Sequence, residues 1–173
     1  MKRFLCTIGC ACLALSLAGA PADAKVKKGD KEVSFFGALI DTSPDEGEST
    51  TTLIVQVAGG VFVSDNTQVG GSVTQTSLYN SFTVTLRLIN GFVKYHFNPN
   101  EPVVTYVGAQ AGMAFIEFDS TSDSGLSYGA MAGAKYFVSA NLSLNGEASL
   151  SQSKIADTSA TQTMLQVGMS YYF

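Results

Sequence analysis

The final segment of the chain, Thr161–Phe173, alternates between two kinds of side chain up to its last residue. A period of two indicates a β-strand with one apolar face and one mostly polar face. The termini of water-soluble domains usually fray into polar tails, whereas aromatic residues gather at membrane interfaces. A membrane strand therefore explains the terminal Phe173, and a secreted β-sandwich whose last strand ends in Phe is the alternative. The apolar face carries Thr163, Leu165, Val167, Met169, Tyr171 and Phe173.

The beginning of the chain has the features of a secretory signal peptide. Lys2 and Arg3 precede the apolar run Phe4–Ala18, which is shorter than the roughly 20 residues that span a bilayer. Ala22 and Ala24 form an Ala-x-Ala site, so we expect residues 1–24 to be removed. The three cysteines, Cys6, Cys10 and Cys12, all lie in this signal. The mature chain then has no thiol, which excludes disulfides, cysteine nucleophiles and thiolate metal sites, and we expect no cofactor.

After the signal, the sequence predicts a short periplasmic leader, residues 25–31, followed by one all-β domain over residues 32–173. Without Lys2, Arg3 and Asp23 of the signal, the mature chain has a net charge of −5, which argues against nucleic-acid binding because that needs a basic face. Eight alternating segments are predicted to be strands, joined in turn by polar connections and by tight turns. The segments are Glu32–Ile40, Thr51–Val63, Thr67–Ser77, Phe82–Phe97, Val103–Ile116, Gly125–Val138, a seventh around Leu142–Leu150, and Thr161–Phe173.

The fourth segment changes its parity. Phe82 to Leu88 are apolar at even positions, whereas Val93, Tyr95 and Phe97 are apolar at odd positions. If apolar residues always face lipid, a β-bulge is needed to absorb this slip, and Leu88–Gly91 is the predicted place for it.

The polar faces distinguish a membrane barrel from a soluble, lipocalin-like barrel. They are rich in Gly, Ser, Thr, Asn and Gln and contain few charges, whereas the outer face of a soluble barrel would carry many Lys and Glu. Small residues suit the narrow interior of an eight-stranded barrel. The acidic segments Asp41–Thr50 and Glu117–Ser124 and the segment Gln152–Ser159 are predicted outer loops. The predicted fold is therefore an eight-stranded antiparallel transmembrane β-barrel with an up-and-down meander.

Two segments carry a family resemblance. Val167–Phe173 resembles the C-terminal signature that the assembly machinery of outer-membrane barrels reads, with Val167, Met169, Tyr171 and Phe173 at the alternate positions. Val93–Pro99 with Tyr106–Gly112 is similar to the central hairpin of opacity-like barrels. The whole mature chain resembles the OmpA transmembrane domain, OmpX/Ail and the opacity-type surface antigens.

This resemblance implies a place in the bacterial outer membrane and a role in envelope stability or surface interaction. The partners it implies are membrane lipid and lipopolysaccharide, the barrel-assembly machinery, and host or envelope surface ligands. Some barrels of this size are lipid-modifying enzymes that use a His and a Ser two residues apart. Here the single histidine, His96, has Asn98 at that position. We therefore interpret His96 as a rim residue packed among Tyr95 and Phe97, and the chain as non-enzymatic.

Strand parity also predicts which charges face the interior. Because a lone charge in a narrow interior costs several kcal/mol, we expect these groups to pair, with Glu147 at the centre. The barrel would then be plugged by its own side chains, and a narrow solute or ion channel is the alternative. The predicted interior charges are Glu32, Arg87, Lys94, Lys135 and Glu147.

Overall fold

A computed structural model of the chain describes residues 26–42, 50–79, 83–118, 121–155 and 158–173. These residues form a closed, eight-stranded antiparallel barrel in which each strand pairs with its neighbours in sequence and the first pairs with the last. No helix in these ranges is long and apolar enough to cross a bilayer. The strands are β1 Lys31–Thr42, β2 Thr50–Phe62, β3 Thr67–Tyr79, β4 Thr83–Phe97, β5 Val103–Phe118, β6 Thr121–Ser139, β7 Leu142–Ile155 and β8 Thr158–Tyr172.

The barrel has two different ends. Tight turns join β2 to β3, β4 to β5 and β6 to β7 at the end where β1 begins and β8 ends. Asn98 begins the second of these turns with a positive φ of 50°, a conformation that Asn tolerates better than most residues. The backbone of Phe173 exchanges hydrogen bonds with Lys31, so the last residue is tied to the start of β1. We call this end the turn end and the opposite end the outer end.

Alternation places apolar side chains on the outside of the wall. On β8, Leu165, Val167 and Met169 are more than half exposed, whereas Gln166 and Ser170 are buried in the interior. In a closed barrel most backbone hydrogen bonds are made between neighbouring strands, which allows the strands to cross lipid. The predicted parity of the first three strands and the last four is confirmed by this inside–outside pattern.

The predicted β-bulge at Leu88–Gly91 is wrong. β4 keeps one unbroken register against both β3 and β5. Leu88 therefore points into the lumen, where it is 1% exposed, while Ile89 points outward and is 53% exposed. The register irregularity in the described strands lies instead between Phe137 and Ser139, where β6 pairs with β7.

The physical reason is that the outer half of the lumen is itself partly apolar. Leu88 shares it with the buried side chains of Ile54, Ala114 and Met164. A side chain enclosed in the barrel gains from leaving water just as one in lipid does. Apolar character therefore does not identify the outward face in this part of β4.

The strands extend further at the outer end than the sequence predicted. Most of Glu117–Ser124 and of Gln152–Ser159 lies within strands, and the outer connections shrink to residues 119–120 and 156–157. The predicted signal with Ala22 and Ala24, and most of the first acidic loop, lie outside the described residues.

The leader from Val26 onward packs against the barrel. Val26 is buried, and the backbone N–H of Gly29 donates to the carbonyl of Phe62. The N–H of Lys28 donates to the carboxylate of Asp65 in the first turn. The described part of the leader therefore lies across the turn end of the barrel.

The seam between β1 and β8 is the shortest in the barrel. Within the described residues it has six residue pairs, from Glu32 with Tyr172 to Gly37 with Val167. Each of the other seven seams has twelve to sixteen pairs. Above Gly37, the described residues of β1 and β8 continue as strands and pair with β2 and β7 but not with each other.

Candidate functional site: the charged lumen

Four of the five charges predicted for the interior are buried there. Glu32, Lys94, Lys135 and Glu147 are each no more than 3% exposed. They come from β1, β4, β6 and β7, so contacts between them cross the lumen rather than follow one strand. Two cations and two anions balance in this described part of the lumen.

Glu32 collects four hydrogen bonds near the turn end. Its Oε2 accepts from Lys135 Nζ at 2.5 Å and from Gln68 Nε2 at 2.8 Å. Its Oε1 accepts from the hydroxyls of Ser34 and Ser170 at 2.6 and 2.7 Å. The carboxylate thus links β1 to β3, β6 and β8, and its charge is compensated by Lys135.

Glu147 forms the second cluster, further from the turn end, because it pairs with Gln166 on β8 whereas Glu32 pairs with Tyr172. Its Oε2 accepts from Lys94 Nζ at 2.8 Å and from the Tyr106 hydroxyl at 2.7 Å. Its Oε1 accepts from Gln166 Nε2 at 3.1 Å. Glu147 therefore contacts one of the two buried lysines, while Lys135 is bound to Glu32.

The ring of Tyr106 lies between the two clusters. Its centroid is 4.7 Å from Lys94 Nζ and 5.3 Å from Lys135 Nζ, distances at which a cation is attracted to an aromatic face. A Cβ on Gly133 would approach the Tyr106 ring to 2.5 Å, so this position needs glycine. A Cβ on Gly108 would lie 3.1 Å from Lys94 Cγ, so glycine here leaves room for the lysine side chain.

An apolar layer closes the turn end beneath the charges. Phe62, Val104 and Phe137 are at most 1% exposed, and Val26 from the leader and Tyr172 from β8 complete the same cluster. The ring centroids of Phe137 and Tyr172 are 5.1 Å apart. This layer separates the ion pairs from the turn end of the barrel.

His96 belongs to the interior, and its predicted position on the rim is wrong. It is fully buried, with ring centroids 5.0 Å from Phe62 and 5.4 Å from Tyr106. Neither ring nitrogen has a hydrogen-bond partner among the described residues. Even parity on the unbroken β4 strand turns His96 inward, whereas its neighbours Tyr95 and Phe97 face outward.

The outer half of the lumen holds polar groups of another kind. β7 contributes Ser149, Ser151 and Ser153 above Glu147, and all three side chains are buried. The hydroxyls of Ser127, Ser149 and Ser151 find no hydrogen-bond partner among the described residues. This half therefore combines small hydroxyls with the apolar side chains around Leu88.

Arg87 does not belong to the lumen, and its predicted place there is wrong. Without a bulge, its odd position on β4 faces outward. Its Nη1 donates to Glu117 at 2.8 Å and its Nε donates to Gln75 at 3.3 Å. Both charged side chains of this pair are nearly half exposed, at 46% and 47%.

The predicted assembly residues face outward. Val167, Met169, Tyr171 and Phe173 are all more than half exposed on the outer surface of β8. The rings of Tyr171 and Phe173 stack with centroids 6.2 Å apart, and Lys31 Nζ lies 5.9 Å from the Phe173 ring. The chain terminus thus forms an aromatic and cationic patch at the turn end.

Several members of the two clusters were not predicted. Gln68, Tyr106, Gln166 and Ser170 all have inward parity, which is visible in the sequence. Their contacts with Glu32 and Glu147 depend on which strands face each other across the barrel, and this follows from the stagger of the closed sheet. The described residues contain no group of three or more His, Cys, Asp or Glu side chains able to hold a metal.

The family model for the outer membrane protein beta-barrel domain matches residues 10–173. The chain belongs to this outer-membrane barrel family. It is therefore a protein of the bacterial outer membrane, related to the small eight-stranded barrels. None of the curated proteins compared with the sequence matches it significantly.

Solved structures share the fold of this barrel. Neisserial surface protein A is 20% identical, with a TM-score of 0.70, over 84% of this chain and 100% of the other. OprG from Pseudomonas aeruginosa is 10% identical, with a TM-score of 0.57, over 88% and 99%. The N-terminal β-barrel domain of Pseudomonas aeruginosa OprF is 18% identical, with a TM-score of 0.53, over 84% and 98%. At these identities the likeness concerns the fold alone.

Proposed function

We propose that this protein is a non-enzymatic outer-membrane barrel whose lumen is plugged by its own side chains. The observation that carries the proposal is the pair of cross-lumen ion pairs, Glu32 with Lys135 and Glu147 with Lys94, above an apolar layer. All four side chains are nearly inaccessible to water. A solute would have to break these pairs and leave buried charges uncompensated, at a cost of several kcal/mol.

The biological role that follows is structural or adhesive. A closed barrel contributes to the envelope through its lipid-facing wall and through the segments that it presents outside the cell. The longest outer connection covers residues 43–49, and its sequence contains Asp45, Glu46 and Glu48. We propose that surface interactions use this acidic segment. Removal of Asp45–Ser49 should then change surface binding of whole cells while the barrel still assembles.

The test of the plugged lumen is a conductance measurement. The purified protein is reconstituted into planar bilayers, and no steady, porin-sized current is expected from the unmodified chain. A variant in which Glu147→Ala and Glu32→Ala remove both anions serves as the comparison, provided that it still folds. A steady current from the unmodified protein would contradict the proposal.

A narrow channel is the second candidate. It is favoured by the unpartnered hydroxyls of Ser127, Ser149 and Ser151, which offer hydrogen-bonding positions above Glu147. A small ion-selective current that disappears when Ser151→Leu fills this half of the lumen would support the channel. If neither the unmodified protein nor the Ser151→Leu variant conducts, the result supports the plugged lumen.

We further propose that the outward residues of β8 act as the assembly signal and as an interface anchor. Phe173 is exposed at the terminus and its ring stacks on Tyr171. Deletion of Phe173 should leave protein in the periplasm, whereas Phe173→Tyr or Phe173→Trp should assemble normally, because both rings suit the interface. Normal membrane levels after the deletion would exclude this role.

A further inference from the structure

The outer wall carries a polar side-chain network that the closed lumen does not explain. Gln75 on β3, Arg87 on β4 and Glu117 on β5 are joined in sequence across three neighbouring strands, and Gln75 also donates to the buried Ser77. Most of the surrounding outward residues on these strands, such as Val73 and Ile89, are apolar. A charged network that faces lipid is costly in hydrocarbon, so its height in the membrane decides what it can contact.

The strand lengths place this network at the outer boundary of the hydrocarbon. From Ile89 to Phe97 the outward residues of β4 are apolar or small, and this segment has the length of about 9–11 residues that a tilted strand needs to cross the membrane. Phe97 ends β4 at the turn end. Arg87, two residues beyond Ile89, therefore lies where outer-leaflet lipids carry their headgroups.

The guanidinium of Arg87 is held in place with donors to spare. A guanidinium has five N–H donors in a planar fork. Within the described residues, one donor of Nε is used by Gln75 and one of Nη1 by Glu117. Three donors remain on a side chain that is 46% exposed toward the headgroup region. The two partners fix the plane of the fork and leave one edge open.

The ligand that fits this edge is a phosphate group. Arginine binds phosphate through two parallel N–H···O bonds, and a planar fork already fixed by neighbours loses little entropy on binding. Neutral sugar hydroxyls would gain less than a phosphate from the guanidinium donors that Gln75 and Glu117 leave free. We propose that Arg87, oriented by Gln75 and Glu117, binds a phosphate group of an outer-leaflet lipid.

This inference rests on the outer-membrane location and on the outward position of Arg87, not on the closed lumen. A current through the barrel would contradict the plugged lumen but not the lipid site at Arg87. Failure to bind lipid at Arg87 would not change the expected conductance. The two proposals can therefore be tested separately.

The test measures retention of lipid A by the full mature chain in detergent micelles, by native mass spectrometry. The probes are lipid A that carries its phosphates and the same lipid after enzymatic dephosphorylation. We expect the phosphorylated lipid to be retained about tenfold better, the difference that one charge-assisted hydrogen-bond pair provides. Arg87→Gln should abolish this preference, and Arg87→Lys should retain part of it because a single ammonium cannot bind in a bidentate manner.

Lys154 supplies the matched control. It is an exposed cation toward the outer end of β7, on a different side of the wall. Lys154→Gln should change the preference by less than about twofold, as expected for an isolated exposed charge. Heat-modifiable migration in gels verifies that each variant is folded before retention is measured.

Three results would overturn the proposal. Arg87→Gln could retain phosphorylated lipid as well as the unmodified chain does. Lys154→Gln could cause the same loss as Arg87→Gln, which would reduce the effect to general cationic attraction. Millimolar inorganic phosphate could displace the lipid, which would assign the site to free phosphate rather than to a membrane lipid. Retention that depends on Arg87 and resists inorganic phosphate supports the lipid site.

Discussion

The inside and the outside of the barrel wall hold ion pairs of the same length in opposite surroundings. Lys94 and Glu147 meet at 2.8 Å in the lumen, and Arg87 and Glu117 meet at 2.8 Å on the outer wall. The inner side chains are 4% and 1% exposed, whereas the outer ones are 46% and 47% exposed. Distance therefore does not distinguish the two pairs, and burial does.

The comparison shows what an ion pair does for this fold. An exposed pair is screened by solvent and contributes at most about 1 kcal/mol. A buried pair adds little net stability relative to apolar residues of the same size, but removal of one partner leaves a charge that nothing compensates. We therefore expect the inner pair to matter mainly when it is broken, and the outer pair to matter mainly for what it contacts.

The largest effect is expected from Glu147→Leu. This change removes the carboxylate that compensates Lys94, so the free energy of unfolding should fall by about 3–5 kcal/mol. Glu147→Gln should cost less, because the amide oxygen still accepts from Lys94 and Tyr106. Urea unfolding of the refolded barrel in lipid vesicles measures both. Equal stability of Glu147→Leu and the unmodified protein would show that solvent reaches Lys94.

A smaller effect is expected when a methyl group is added to the inner side of the wall. A Cβ on Gly133 would meet the Tyr106 ring at 2.5 Å and the Gly146 carbonyl at 2.6 Å, so Gly133→Ala should cost about 1–3 kcal/mol. Gly146 faces outward with nothing within 4 Å of an added Cβ. Gly146→Ala is thus the matched control, and the same unfolding assay should find it close to neutral. A neutral Gly133→Ala would mean that the lumen is loosely packed.

Removal of both inner charges sharpens the comparison further. The double variant Lys94→Met with Glu147→Leu leaves no uncompensated charge, so its stability should lie no more than about 1 kcal/mol below that of the unmodified protein. Together with Lys94→Met alone and Glu147→Leu alone, it forms a double-mutant cycle that isolates the coupling energy between Lys94 and Glu147. A double variant as unstable as Glu147→Leu alone would assign the loss to packing around Tyr106 instead of charge.

The smallest effect is expected on the outer wall. Arg87→Gln should change the unfolding free energy by less than about 0.5 kcal/mol, as for most exposed positions. The measurement is made in vesicles of zwitterionic lipid without lipid A, the probe of the retention test. A loss of more than about 1 kcal/mol there would give the outer pair a structural role and remove the contrast with the lumen.

The barrel itself could be predicted from sequence because alternation is a local property. The inward and outward faces of β8, and the interior positions of Glu32, Lys94, Lys135 and Glu147, follow from parity alone. Arg87 was misplaced because its neighbour Leu88 lines the lumen instead of facing lipid. Hydrophobicity does not distinguish a lipid-facing position from an enclosed one when the interior is partly apolar.

The pairing of the charges could not be predicted for a different reason. Lys135 binds Glu32 rather than Glu147, and Tyr106 reaches Glu147 from β5. Which inward residues meet across the lumen depends on the stagger with which eight strands close, and this is a property of the whole sheet. The inward and outward faces of each strand can be predicted from its own sequence, but the contacts between distant strands cannot.

The short seam between β1 and β8 has a consequence for the order of assembly. Its first pair joins Glu32 to Tyr172, residues near opposite ends of the domain, so closure there carries the largest loss of chain entropy of any seam. It also gains the fewest backbone hydrogen bonds, because it has six residue pairs whereas the other seams have at least twelve. We therefore expect this seam to form last during insertion and to open first during unfolding. Until it closes, the nascent protein is a curved sheet with two free edges, held in register only by its hairpins.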